Sequence, residues 1–407
     1  MINEVIQMTH PSDLIKGSKG RDLEGKKIIY CITGSIASVE SVKIIRELIR
    51  YGADVIPFMT KGALRVITPE ALHFASGHEP VYKFSGETEH IKYVKYSDGV
   101  IIAPATANII GKIANGIADD VVSTAALVAI GSNRKILLAP VMDITMLRNP
   151  VVQENLKKLE RLGVRIISPK IEEDKAKIPD KEDIIKEAIR TFGKGDLKGR
   201  HILILSGATA EHIDDVRVLT NLSSGKMGYW IAKRAYLRGA DVDMVYALGT
   251  VDPSRYANVY RVTTVKDMLN TSLELLSKND YDVVISVAAI SDYRPKRIVK
   301  GKIPSGIKDL KIELEPTPKV VEEIRKVYDG LLVIFKTEPT TGESLINKAK
   351  RRMEDIGADI VVANPITAFS ADSTEVYIIK RGEEPIYVKG PKSMIAEELL
   401  NVVSKSL

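Results

Sequence analysis

The stretch SSGK (223–226) has the residue types of a phosphate site without the spacing of a Walker loop. That loop needs G-x-x-x-x-G-K-[ST], with its hydroxyl on a metal. Here Met227 follows the lysine, and Thr220 stands where the first glycine belongs. The chemistry still open is that of a helix N-terminus, where unpaired N–H groups and the positive end of the dipole hold anions. Residues 226–239 read as that helix, with Ser223 or Ser224 to cap it, Gly225 to allow close approach and Lys226 to add charge. Alone, the pattern equally fits a plain cap beside a solvated lysine. Two further small-residue turns follow strand patterns in the same half, SGATAE (206–211) and SVAAISDYRP (286–295). Three such ends on one sheet edge point to a nucleotide. The first half repeats the device with TGSIAS (33–38), MTKGA (59–63) and APATAN (103–108), which suit a phosphate or a flavin. No G-x-G-x-x-G and no acidic residue placed for a ribose accompany them, which counts against a nicotinamide reductase.

The elements that must carry these turns alternate along the chain. Apolar runs at 26–33, 53–59, 98–105, 134–140 and 164–168 read as buried strands separated by helical patterns. In the helix at 41–52, Val42, Ile45, Leu48 and Ile49 share a face and Gly52 ends it. The pattern restarts after 191–199, with strands at 200–206, 240–247, 281–289, 330–336 and 358–364 and a closing hairpin at 374–389. The expected fold is α/β: two doubly wound, parallel-sheet, Rossmann-like domains in tandem, ligands lying beyond the carboxyl ends of the strands. The boundaries are a loose leader at 1–25, a first domain at 26–190, a linker at 191–199 and a second domain at 200–407.

The net charge of +6 comes from interspersed charges rather than a basic tail, so small anionic ligands are expected and no nucleic-acid partner. Cys31 is the only cysteine, which excludes an intrachain disulfide and a Cys-rich metal site. No apolar run is long enough to span a bilayer, and no signal segment is visible at the N-terminus, so no membrane partner and a cytoplasmic location are expected.

Several blocks carry a family resemblance. GATAEHIDDVRVLTNLSSGKMG (207–228), AAISDYRP (288–295), the lysine of KIPSG (302–306) and VANPI (362–366) resemble phosphopantothenate–cysteine ligase. The first half, through its three strand-end turns and GIADDVVSTAAL (116–127), resembles the FMN-dependent phosphopantothenoylcysteine decarboxylases, whose domain is flavodoxin-like. Fused in this order, over roughly residues 25–405, they resemble the bifunctional proteins of coenzyme A biosynthesis. The resemblance implies that the carboxylate of 4′-phosphopantothenate attacks the α-phosphate of CTP in the presence of magnesium, and that the cysteine amine then displaces CMP. It places Asn221 on the acyl-cytidylate and Lys302 on the triphosphate, although Lys302 by itself reads as one more solvated loop lysine. Ala289, Asp292 and Phe335 would line the nucleotide pocket, with Ser223, Ser224, Gly225 and Lys226 at its helix start and Arg217 nearby. In the flavin half, Gly34, Ser35, Thr60, Thr106 and Asn108 would contact FMN and His90 would be the base. The flavin would oxidise the cysteinyl thiol, providing a sink for loss of carbon dioxide, and then return the electrons. The family also implies a homo-oligomer, trimeric through the flavin domains and dimeric through the ligase domains.

Three positions depart from the family pattern. Where bacterial members have further lysines after the first of their loop, Pro304 and Ser305 follow Lys302, which leaves CTP against ATP open; Lys300 or Lys308 could substitute. Asp143 stands in PVMD where an asparagine binds the departing carboxylate. An ionised Asp143 would repel that carboxylate by roughly 4 kcal/mol at about 4 Å and an effective dielectric near 20, unless it is protonated or paired with a cation such as Arg148. The flap at 168–183 has no cysteine to protonate the product, and Lys175 or Lys177 is left as the donor. The departures at Asp143 and the flap carry one alternative, a ligase whose flavoprotein half is only an assembly scaffold; a further reading, a regulatory flavoprotein acting through partners, has the intact ligase motifs against it.

Overall fold

The computed structural model describes residues 9–366 and 373–407, and the chain divides into two compact units between Gly195 and Asp196. In the first, strands β1 (Lys27–Ile32), β2 (Asp54–Met59), β3 (Gly99–Ala105) and β4 (Lys135–Pro140) precede a short β5 (Met142–Asp143) and β6 (Val164–Ile166). A small hairpin follows, β7 (Lys170–Glu172) and β8 (Lys175–Lys177). The main sheet is parallel with order β2-β1-β3-β4-β6. Numbered by its own members this is 2-1-3-4-5, the flavodoxin order, whose switch point lies between β1 and β3. Parallel strands need crossover helices on both faces, so their residues are buried on both sides. From Ile28 to Ile32 every residue of β1 is fully buried, Cys31 among them, and burial pushes the Cys31 thiol pKa upward.

The second unit runs through β9 (His201–Ser206), β10 (Ala210–His212), β11 (Val218–Thr220), β12 (Asp241–Tyr246), β13 (Asn258–Arg261) and β14 (Val283–Ser286). It continues with β15 (Tyr293–Pro295), β16 (Leu314–Pro316), β17 (Leu331–Glu338), β18 (Ile360–Pro365), β19 (Ser373–Lys380) and β20 (Ile386–Pro391). Its main sheet has the order β13-β12-β9-β14-β17-β18-β19-β20. The six parallel members read 3-2-1-4-5-6, the dinucleotide-fold order, with the switch point between β9 and β14. The closing hairpin β19–β20 adds to the edge antiparallel. Residues of β9 alternate between two cores: Ile202 and Ile204 pack on one face, Leu203 and Leu205 on the other.

Two sequence expectations need correction. The leader is not loose where it is described: Gly17 and Leu23 N–H groups donate to the carbonyls of Ile49 and Tyr51, and Leu23 is fully buried. Residues 1–8 of the leader lie outside the described residues. The linker, too, is part of the units it joins. A helix runs Lys181–Phe192, and Asp196 receives a two-armed ion pair from the buried Arg238 guanidinium at 2.9 and 2.6 Å. Among the described residues no helix is long and apolar enough to cross a membrane.

Candidate active sites

In the first unit a cavity of about 700 Å³ opens at the tips of β1, β2 and β3, across the switch point. Thr33 and Gly34 follow β1, Thr60, Lys61 and Gly62 follow β2, and Thr106, Asn108 and Lys112 follow β3. The β1 and β2 loops touch through glycines, since a Cβ built on Gly34 would sit 3.0 Å from the Gly62 backbone. Any side chain there would push the loops apart and close the cradle. Of the residues expected on the cofactor, Gly34, Thr60, Thr106 and Asn108 line this cavity. Ser35 adjoins it as the N-cap of the short 3-10 helix Ile36–Glu40, accepting the Ala37 N–H at 3.3 Å. Lys112 spans Asp119 (2.9 Å) and Asp120 (3.1 Å) on the cavity wall, and Asp120 caps the helix Val121–Gly131 through Val122 and Ser123 N–H.

His90 lies near the start of the helix Glu89–Lys95. Its ring meets Phe84 edge-on at 5.0 Å, and Phe84 lines the cavity. The His90 Nδ1 is buried and no protein group hydrogen-bonds to it.

The structure decides between the two escapes open to Asp143, and takes neither as stated. Asp143 is the N-cap of the short helix Ile144–Leu147, and the Thr145 N–H (2.8 Å) and hydroxyl (2.5 Å) both donate to it. The Thr145 hydroxyl, then the Thr145 amide, with Lys175 nearby, hold its carboxyl below the usual carboxylate range, so it stays ionised. The nearby cation is Lys175, placed opposite Asp143 by the antiparallel pairing of β5 with β8, not Arg148. Lys177, the other candidate donor, is drawn to Glu172 (3.3 Å) and Glu173 (2.8 Å).

In the second unit a pocket opens between the turn at 223–228 and the ends of β14, β17 and β18. It gathers Ser223, Ser224, Gly225 and Lys226 with Ala289 after β14 and Phe335 on β17. Gly225, rather than a serine, is the N-cap of the helix Lys226–Leu237. Its φ of +71° is one that favours glycine, and a Cβ there would meet the Tyr246 hydroxyl at 2.6 Å. The Ser224 hydroxyl accepts the Lys226 N–H only at 3.4 Å. The helix opens on the pocket with first-turn N–H groups that have no intrahelical acceptor.

Asn221, Arg217, Asp292 and Lys302 are not in this pocket's lining. Asn221 reaches it, its amide donating to the Ala289 carbonyl at 3.2 Å. Asp292 accepts an ion pair from Lys319, and Arg217 and Lys302 sit on two adjoining loops. Sequence reasoning missed Thr337, Thr374 and Lys392, and gave no role to Asn364 and Gly228 of the VANPI and SSGKMG blocks; all five line the pocket. Thr337 and Asn364 end β17 and β18, so the strand-tip rule applied one strand further would have found them. Thr374 and Lys392 arrive through the antiparallel hairpin, which local pattern cannot place. The Asn364 amide donates to Thr337 Oγ1 at 3.0 Å, leaving its own Oδ1 buried and without a partner.

Comparison with known proteins adds to this geometry. The Flavoprotein family model matches residues 16–193, and the model of the DNA/pantothenate metabolism flavoprotein C-terminal domain matches 197–407. A relative from Thermococcus kodakarensis, named coenzyme A biosynthesis bifunctional protein CoaBC, is 41% identical over 98% of this chain and 100% of its own. The chain belongs to that bifunctional coenzyme A biosynthesis family. A CoaBC relative from Methanocaldococcus jannaschii is also 41% identical, over 100% of this chain and 99% of its own. A solved C-terminal domain of a CoaBC protein is 32% identical, covers 52% of this chain and 97% of that one, and has a TM-score of 0.44. Family membership makes the chain an enzyme of coenzyme A biosynthesis, with a flavoprotein half of the decarboxylase kind and a ligase half.

Proposed function

We propose that the second unit joins 4′-phosphopantothenate to cysteine using CTP, and that the first decarboxylates the product to 4′-phosphopantetheine with FMN. The observation that carries this reading is that each unit gathers strand-tip turns and a helix start around a pocket of its own, within a chain of this family. Incubation with phosphopantothenate, cysteine, CTP and magnesium should yield phosphopantetheine. Product stopping at phosphopantothenoylcysteine would overturn the decarboxylase half, and absence of turnover would overturn both.

For ligation, the carboxylate of the substrate attacks the α-phosphate and pyrophosphate leaves; the cysteine amine then displaces CMP from the acyl carbon. Fixed donors aimed at the developing charge are the main contribution a protein makes to such a step. The first-turn N–H groups behind Gly225, with Lys226, would take phosphate oxygens. Asn221, held at the pocket edge by Ala289, would donate to the acyl-phosphate linkage. Magnesium would be carried chiefly by the triphosphate oxygens. Lys302→Gln removes a charged contact worth about 1.5–3 kcal/mol, so the KM for CTP should rise roughly 10- to 100-fold while bound flavin is unchanged. An unchanged KM would remove Lys302 from the site.

The flavin half fits FMN by its Gly34–Gly62 cradle, its polar Thr60, Thr106 and Asn108, and the cations Lys61 and Lys83 on the wall. These residues, with Ser35, would hold the cofactor, which supplies a reversible two-electron sink for the substrate thiol. His90 Nδ1, lacking a partner, would receive the thiol proton. Lys175 would offset the charge of Asp143 and stand as proton donor in place of the absent flap thiol. Asp and Asn cap helices about equally well, so Asp143→Asn should change stability by no more than about 0.5 kcal/mol. Carbon dioxide release from phosphopantothenoylcysteine should be preserved or raised in this variant. A collapse would instead show that the carboxylate has its own task.

A homo-oligomer is part of the same proposal. Leu222, Val216 and Ile298 are 84, 66 and 64% exposed, apolar surface that a second copy would cover. Sedimentation at micromolar concentration tests it, and a monomer would reject it.

A further inference from the structure

Two neighbouring carboxylates tie the loop that bears Lys302 to the loop that bears Arg217. Asp214 has no exposed surface. Its Oδ1 accepts the backbone N–H groups of Val216 (2.8 Å) and Arg217 (2.6 Å). Its Oδ2 accepts the Ile303 N–H (3.0 Å) and the Arg217 guanidinium (2.5 Å), which also donates to the Ile303 carbonyl (3.1 Å). Asp215 completes the tie: its Oδ2 accepts the Gly301 N–H at 2.9 Å, and its own N–H donates to the Gly301 carbonyl at 3.2 Å. The Val299 N–H reaches the Ile213 carbonyl at 3.0 Å. Residues 299, 301 and 303 are therefore all anchored, while Lys302, between two of them, keeps an exposed side chain.

From Arg217 the chain runs directly into β11 and on to Asn221, and β11 is paired with β10. Hydrogen bonds from the Lys302 loop to 213–217, and then the backbone of β11, thus link Lys302 to Asn221. Burial would by itself raise the Asp214 pKa, but its three backbone donors and Arg217 outweigh that and hold the carboxyl far below its ordinary range. It keeps its charge throughout any working pH.

We infer that Asp214 and Asp215 are positioning residues that set Lys302 in register with Asn221, so that the triphosphate end and the acyl end of the ligation site are held at a fixed spacing before substrate binds. The inference rests on the reading of Lys302 as a triphosphate contact. Ordering the backbone in advance lessens what binding must order, and a displacement of about 1 Å at such a group costs on the order of 10²-fold in rate.

The test uses the full-length chain. Asp215 is exposed, so Asp215→Ala carries the test even if Asp214→Asn fails to fold. Both variants should raise the KM for CTP about tenfold or more, and should speed tryptic cleavage after Lys300 and Lys302 by a similar factor, as expected of a loop released from local structure. A merely structural role would make losses additive. Here Asp215→Ala placed on Lys302→Gln should add nothing to the KM of Lys302→Gln alone, the mark of residues acting through one another. If Lys302→Gln raises the KM but Asp215→Ala changes neither KM nor cleavage, the positioning role is overturned and the reading of Lys302 stands. If Lys302→Gln leaves the KM unchanged, that reading falls and the inference falls with it.

Discussion

Asn221→Asp should lower the rate of ligation by about 10²- to 10³-fold, the effect of removing one fixed donor from developing charge. The substitution keeps size and shape and changes only hydrogen-bond character. In the native site the Asn221 amide donates to the Ala289 carbonyl at 3.2 Å, which orients the side chain at the pocket edge. A carboxylate has no hydrogen to offer that carbonyl and would turn away from it. If it stayed, it would place a negative charge beside a phosphate that must itself gather electron density, a repulsion of about 4 kcal/mol at roughly 4 Å and an effective dielectric near 20. Both consequences act on the reacting atoms, so the loss should fall on kcat more than on the KM for CTP. Pyrophosphate release and cysteine consumption, followed separately, measure it. Flavin absorbance should remain as in the native chain, because the substitution lies in the other unit. Rates within twofold of native would remove Asn221 from the reaction.

Gly228→Ala should cost about 1–3 kcal/mol of stability in the second unit, the usual result of overpacking a core. A Cβ at Gly228 would sit 2.0 Å from Ser206 Oγ and 3.3 Å from Val287, so the helix Lys226–Leu237 would have to move off β9. That helix is seated by Ile231, Ala232 and Ala235, all fully buried, and lifting it opens their packing. For a unit of this size the melting temperature should fall by roughly 2–12 °C. Because the same helix presents its N-terminus to the pocket, ligation should fall further than stability alone explains, by on the order of 10²-fold for a shift near 1 Å. Calorimetry and ligation rates on one preparation give both numbers. A native melting temperature with native ligation would show that the contact relaxes without moving the helix.

Much of the architecture was legible because it is written in local pattern. Apolar runs of strand length alternating with helical periodicity led to two parallel α/β units, and small-residue turns after strands located both pockets. Gly34, Thr60, Thr106 and Asn108, and Ser223 to Lys226 with Ala289 and Phe335, singled out by this pattern and the family motifs, line those pockets. Other residues could not be found so. Thr374 and Lys392 reach the pocket only because β19 and β20 fold back on the edge of the sheet. Likewise the leader looked structureless because its hydrogen bonds go to Ile49, Arg50 and Tyr51, thirty or so residues away, and leave no periodic trace.

By itself, then, the amino-acid sequence determined the class of each unit, the positions of its strand tips and the family whose motifs those tips carry. Periodicity and turn chemistry act over a few residues, and they suffice for that. Only the tertiary structure decided the strand orders, 2-1-3-4-5 in one unit and 3-2-1-4-5-6 in the other, and so where each switch point opens. It also decided that Asp143 stays charged as a helix cap facing Lys175, and that buried Asp214 joins two loops some ninety residues apart. The reason is the same in each case: which partner satisfies a strand edge or a buried charge depends on what the fold brings within about 3 Å of it, and sequence distance carries no record of that.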